Sequence, residues 1–128
     1  MHITDLLGSF TVDDIPQAKA FYGSILELEV SDALSGGNGP LWLGVENQRR
    51  ALIYHKPGHE PSEFTVLNIA VADIEATVDA LTERGVEFVR YPEFPQDERG
   101  ILHGPGHSIA WFTDPSGNSL AVVQLSDG

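Results

Sequence analysis

Few side chains in this sequence are equipped for chemistry, and they are scattered along it. There are five histidines, three tyrosines and no cysteine, so thiolate nucleophiles, thiolate metal sites and disulfides are excluded. His103-Gly104-Pro105-Gly106-His107 sets two imidazoles four residues apart. On a helix that spacing brings both rings to one side, but Gly and Pro argue against a helix there. No nearby carboxylate is evident to complete a metal site. His107 is therefore read as a loop histidine that contacts a ligand, or acts as acid or base near neutral pH, and the bland alternative is a solvated loop. Tyr54, beside His55, is the second acid–base candidate. Asn68 carries an amide that a strand would point inward. A ligand, a neighbouring backbone group or a buried water has to satisfy it. Trp42 and Trp111 are either stacking surfaces for a ligand or core. Glu93, Asp97, Glu98 and Arg99 make a polar loop, solvated or able to close over a site. No Ser/His/Asp arrangement, phosphate loop or basic patch with interleaved aromatics is visible.

These residues sit on a grammar that occurs twice. Residues 10–30 and 69–89 align at a shift of 59, with Val12, Asp14 and Ile15 falling on Val71, Asp73 and Ile74. Each half runs strand, Asp cap, amphipathic helix, strand. In the first, Leu6–Val12 is a strand, and Asp13 or Asp14 caps a helix with Pro16 in its first turn. Ile15, Ala18, Phe21, Tyr22 and Ile25 keep helical spacing and face a sheet. Strands follow at Leu28–Ser31, Leu41–Val45 and Ala51–His55, with a loop at 35–40 and a turn at Glu46-Asn47-Gln48. In the second half, Phe64–Val71 is a strand, and Asp73 caps a helix ending near Arg84 and Gly85. Val86–Val89 is a strand, Tyr91–His107 a long irregular stretch, and Ser108–Thr113 with Ser119–Gln124 a hairpin across Asp114–Asn118. The expected class is α+β, two tandem βαβββ modules (1–56 and 64–126) joined by a linker over 57–63, in one domain. Alternation puts Leu7, Ser9 and Thr11 on one face of the first strand, with Phe10 and Val12 toward the helix. Val66, Asn68 and Ala70 share a face of the fifth.

The chain has 128 residues, 7 basic and 19 acidic, for a net charge of −12. A field of that sign repels nucleic acid and anionic membranes and favours cationic ligands. No apolar run approaches the roughly 18 residues of a membrane span, and no signal peptide is visible. The expectation is a cytoplasmic protein with no nucleic-acid or membrane partner.

Val12-Asp13-Asp14-Ile15 with Ala20-Phe21-Tyr22-Gly23 and Leu26-Glu27-Leu28, then Val71-Ala72-Asp73-Ile74 with Arg84-Gly85-Val86-Glu87-Phe88, then Ala110–Leu120 around Asp114-Pro115-Ser116-Gly117-Asn118 stand in a fixed order. Together they resemble the vicinal-oxygen-chelate superfamily, which includes glyoxalases, bleomycin-resistance proteins and dioxygenases. The resemblance covers essentially the whole chain. It implies a curled, cup-like, mixed eight-stranded sheet and, in many members, a divalent metal held by histidines of the first strands and carboxylates of the last. At the matching positions this chain has Leu7, Val66, Tyr54 and Ala121. Three of these side chains have no donor and a neutral Tyr is poor alone, so no metal and no cofactor are expected.

By the pseudo-symmetry that the resemblance implies, the cup is lined by Leu7, Ser9, Thr11, Tyr54, Val66, Asn68 and Ala121, an apolar pocket with a few polar groups. Two readings from different classes follow. One is a metal-independent protein that binds a small organic molecule, cationic or aromatic, through Ser9, Thr11, Asn68, Trp42 and Trp111. That reading extends to a metabolite-binding domain without turnover. The other is a metal-independent isomerase, epimerase, cyclase or lyase acting on a small carbonyl compound or natural product. Tyr54 or His107 would then move the proton and Asn68 hold an oxyanion. The resemblance and the open sheet edges also imply a homodimer.

Overall fold

A computed structural model describes residues 1–34, 36 and 38–126. Ser35 and Gly37, in the loop expected at 35–40, lie outside the described residues. The chain divides into two compact units, Met1–Glu60 and Pro61 onward. The division falls inside the segment read as a linker.

In the first unit, β1 (Gly8–Val12) leads into α1 (Ile15–Ala20), which continues as a π-helical turn over Phe21–Ile25. Asp14, not Asp13, is the cap, its carboxylate accepting from the Gln17 amide at 2.8 Å. β2 (Glu29–Asp32), β3 (Leu41–Val45) and β4 (Gln48–His55) complete a sheet in the order β1-β4-β3-β2, with β1 parallel to β4. β1 starts two residues later than expected and leaves Leu7 exposed. β4 starts three residues earlier, at Gln48. Glu46 and Asn47 both take positive φ (52° and 64°), the two-residue turn whose twist matches paired strands. Phe10, Val12, Leu41, Leu43, Ala51 and Ile53 are buried, together with Ile15, Ala18, Phe21 and Tyr22 of the helical segment. Leu41 and Ile53 are fully enclosed, and truncating such a side chain to Ala costs about 2–5 kcal/mol.

The second unit repeats the plan: β5 (Thr65–Ala70), α2 (Ile74–Glu83), β6 (Leu102–Gly104), β7 (His107–Thr113) and β8 (Ser119–Leu125), in the sheet order β5-β8-β7-β6. Asp73 caps α2 through the Ala76 amide, and Gly85 follows the helix at φ 93°. One assignment changes. Val86–Val89 is not a strand, and only the Val89 amide reaches the sheet, donating to Trp111 O at 2.8 Å. The Gln96 amide group takes over the remaining backbone, donating to Val89 O and Gly100 O and accepting from Tyr91 N. The edge strand is instead Leu102–Gly104, inside the stretch read as irregular. Pro105 and Gly106 (φ 82°) form a tight turn that pairs Gly104 with His107, the Pro-then-Gly order of a type II turn. The architecture is α+β, eight strands in two four-stranded mixed sheets, each with one helical segment.

Candidate functional site

With Phe10, Val12, Leu41, Leu43 and Ile53 turned to the helix, alternation sends their neighbours to the other face of the first sheet. Register then aligns Ser9, Leu52, Trp42 and Ser31 in one row across all four strands, and Thr11 beside Tyr54 in the next. Four residues singled out from the sequence (Ser9, Thr11, Trp42, Tyr54) therefore share one surface. Tyr54 is 40% exposed. Thr11 is not free: its hydroxyl lies 2.7 Å from His59 Nδ1. His59 returns to the sheet because Lys56-Pro57-Gly58-His59 is a turn, with Gly58 at φ 76° and His59 N donating to Lys56 O. Sequence reasoning missed His59, although the Pro-Gly ahead of it signalled that turn.

Near Trp42 the ladder slips. Leu43 pairs with Ala51 but Gly44 with Arg49, so β4 carries an extra residue. Such a bulge re-aims the side chain beyond it. Arg49 consequently lies over the Trp42 indole, its guanidinium carbon 4.8 Å from the ring centroid, a cation–π contact. Gly44 is required here, since a Cβ would stand 2.6 Å from Gln48 O. Glu29, on β2, accepts the Asn47 amide with both carboxylate oxygens (2.9 and 3.2 Å).

In the second sheet Asn68, Ala121 and Trp111 form one row. Asn68 is exposed, so water can satisfy its amide, and burial does not force a partner on it. Trp111 joins Tyr91 and Phe94 in an aromatic cluster. Phe94 stacks on it at 5.6 Å and 21°, and Tyr91 meets it edge-on at 5.2 Å. His107 occupies the first position of β7, two alternations from Trp111 on the same face, roughly 13 Å along the strand. It is exposed and forms no side-chain hydrogen bond among the described residues.

The other histidine of the pair is held from the opposite side of the sheet. His103 Nε2 lies 2.8 Å from Asp97 Oδ2, and Nδ1 lies 3.2 Å from the Ser108 hydroxyl. A carboxylate only accepts, so the Nε2 proton is committed to Asp97. Sequence reading found neither this carboxylate nor any Ser/His/Asp grouping, because the β6–β7 pairing sets Ser108 beside His103 and the turn over 97–101 returns Asp97 to that ring. Asp97 also accepts the Arg99 and Ile101 amides, both at 2.9 Å. Burial raises its pKa, but the hydrogen bonds from His103 and these two amides outweigh burial and hold it below the usual carboxylate value. The loop read as polar is thus tied down: Arg99 pairs with Asp79 at 2.9 Å, and Arg90 donates to the carbonyls of Asp97 and Glu98.

Nothing in this donor set suits a divalent ion. At the positions to which the resemblance carries metal ligands stand Leu7, Val66, Tyr54 and Ala121. Among the described residues no three His, Asp or Glu side chains converge.

The profile of the Glyoxalase/Bleomycin resistance protein/Dioxygenase superfamily matches residues 2–122. The chain belongs to this superfamily. Solved structures carry the same fold. One, assigned to the glyoxalase family from Bacillus anthracis, superposes with a TM-score of 0.72 at 17% identity, covering 98% of this chain and 99% of that one. TnmS3, an antibiotic binding protein from Streptomyces sp. CB03234, gives 0.69 at 23% identity over 98% and 100%. A superfamily member from Sphaerobacter thermophilus DSM 20745 gives 0.67 at 24% over 94% and 98%. No curated protein matches this superfamily chain. Among its described residues no helix is long and apolar enough to cross a membrane.

Proposed function

We propose that this superfamily member is a metal-independent, cytoplasmic, homodimeric protein that binds a small organic ligand on its open sheet faces. The carrying observation is the register. Each sheet sets a tryptophan in one row with a polar side chain, Trp42 with Ser9 and Trp111 with Asn68. Aromatic surface beside a few polar groups is what holds a planar organic molecule. The antibiotic-binding likeness of TnmS3 supports the same reading. A net charge of −12 favours ligands with cationic character. At Trp42 a ligand cation competes with Arg49.

The test is a thermal-shift and calorimetry screen of aromatic compounds, cationic ones included. Saturable stabilisation is expected. It should weaken with salt where the ligand is cationic, and fall about tenfold or more on Trp42→Ala or Trp111→Ala. No saturable ligand across the screen overturns the proposal.

The second reading is a metal-independent isomerase, epimerase, cyclase or lyase. Tyr54 favours it, standing beside Thr11 with His59 bonded to that threonine. In that case Tyr54→Phe or His107→Ala abolishes turnover without unfolding the protein, whereas a binder tolerates Tyr54→Phe.

A further inference from the structure

Glu29, Ser31, Trp42, Gly44, Asn47 and Arg49 line a cavity of about 200 Å³ on the first sheet. Its two charges are opposite, and no ion pair joins them among the described residues. Arg49 is aimed by the bulge onto the Trp42 ring. The guanidinium carbon lies 4.8 Å from the ring centroid, and a guanidinium carries five N–H donors in a fork that suits a planar acceptor. No carboxylate of this chain takes them among the described residues. Glu29 is held by the Asn47 amide, yet two carboxylate oxygens offer about four acceptor sites, so room for an ammonium donor remains. The floor between them is Ser31, the Trp42 indole and the bare backbone of Gly44.

We infer that this cavity is a subsite for a small zwitterion of the α-amino-acid type, its carboxylate on Arg49, its ammonium on Glu29 and its side chain along Trp42 and Gly44. The inference rests on the proposed function in one respect, that the open face of the first sheet takes ligands. Size agrees. Drug-sized ligands need roughly 300–1,000 Å³, which this cavity does not offer. Charge agrees as well, because a molecule without net charge is not turned away by a protein carrying −12, as a simple acid would be.

The experiment follows Trp42 fluorescence in the Trp111→Phe protein. The titrants are L-phenylalanine, 2-phenylethylamine, which lacks the carboxylate, and 3-phenylpropanoate, which lacks the ammonium. L-Phenylalanine should saturate, with each truncated analogue at least about tenfold weaker, the usual scale for a charge-assisted bond. Arg49→Met should erase the preference for L-phenylalanine over the amine. Glu29→Gln should erase its preference over the acid. Circular dichroism confirms that each variant is folded, and Arg49→Lys, which keeps the charge but loses the fork, should recover only part of the preference. Equal binding of all three compounds overturns the zwitterion and leaves the ligand-binding face intact. Absence of saturation by L-phenylalanine overturns it too. If the wider aromatic screen also fails, the proposed function falls separately.

Discussion

The carboxylate of Asp97 accepts from two backbone amides and from the His103 ring, so it binds the 91–101 loop to the edge hairpin. Asp97→Ala removes three acceptor contacts at once and should cost about 1–2 kcal/mol by urea denaturation at pH 7. Its pKa is lower in the folded state. The stability it supplies is therefore fully present above the unfolded value, about 3.9, and is lost as pH falls through the folded one. The gap between the urea midpoints of the wild type and the variant should narrow as pH falls below the unfolded value, and a gap that stays constant would contradict this assignment. Individual residues were unevenly legible. Asp73, Phe10 and Val12 were readable because a cap or an alternation is a local property, whereas the first cap stayed open between Asp13 and Asp14 until the Gln17 amide was seen on Asp14. His59 and the Asp97–His103–Ser108 grouping were not readable, because their partners lie 48, 6 and 5 positions away and on different elements. Periodicity gave the face that Asn68 takes, but not that this position is exposed.

Strands and turns have their own tests. Asp114, buried at 4% exposure, accepts the Ser116 and Asn118 amides and the Asn118 side chain. It holds the β7–β8 turn closed. Asp114→Ala leaves buried donors unsatisfied and should cost roughly 3 kcal/mol, read as a lower denaturation midpoint. Gly44→Ala drives a Cβ into the Gln48 carbonyl and should destabilise by about 1–3 kcal/mol. The bulge also aims Arg49, so Gly44→Ala should alter Trp42 fluorescence, and an unchanged spectrum would separate the bulge from the Arg49–Trp42 contact. The Val86–Val89 assignment failed for a physical reason. Apolar, β-branched residues after a helix stop look like a strand, but here the Val86 amide closes the helix end on Leu81 O and the Gln96 side chain takes the Val89 carbonyl and the Tyr91 amide. Pro105-Gly106 breaks a helix, and Pro followed by Gly at positive φ is equally a hairpin signal.

For the whole molecule, purified protein should hold well below one equivalent of Ni, Zn, Mn or Fe after incubation and desalting, since Leu7, Val66 and Ala121 offer no donor atoms. A stoichiometric metal would return the histidines to the centre of the problem. Each sheet has two edge strands, and unpaired edges invite association, so sedimentation should show a dimer. A monomer at micromolar concentration would refute that part of the proposal. By itself the sequence determined the class, the duplication, the Asp73 cap and which faces of the first and fifth strands turn to the helices. These follow from short-range periodicity and capping, which a linear chain carries locally. Only the tertiary structure decided that Arg49 covers Trp42, that His59 folds back onto Thr11, and that Leu102–Gly104 rather than Val86–Val89 forms the edge. Each of these depends on a register slip, a turn or a side chain replacing a strand, and the deciding contacts join residues of different elements, which local periodicity does not report.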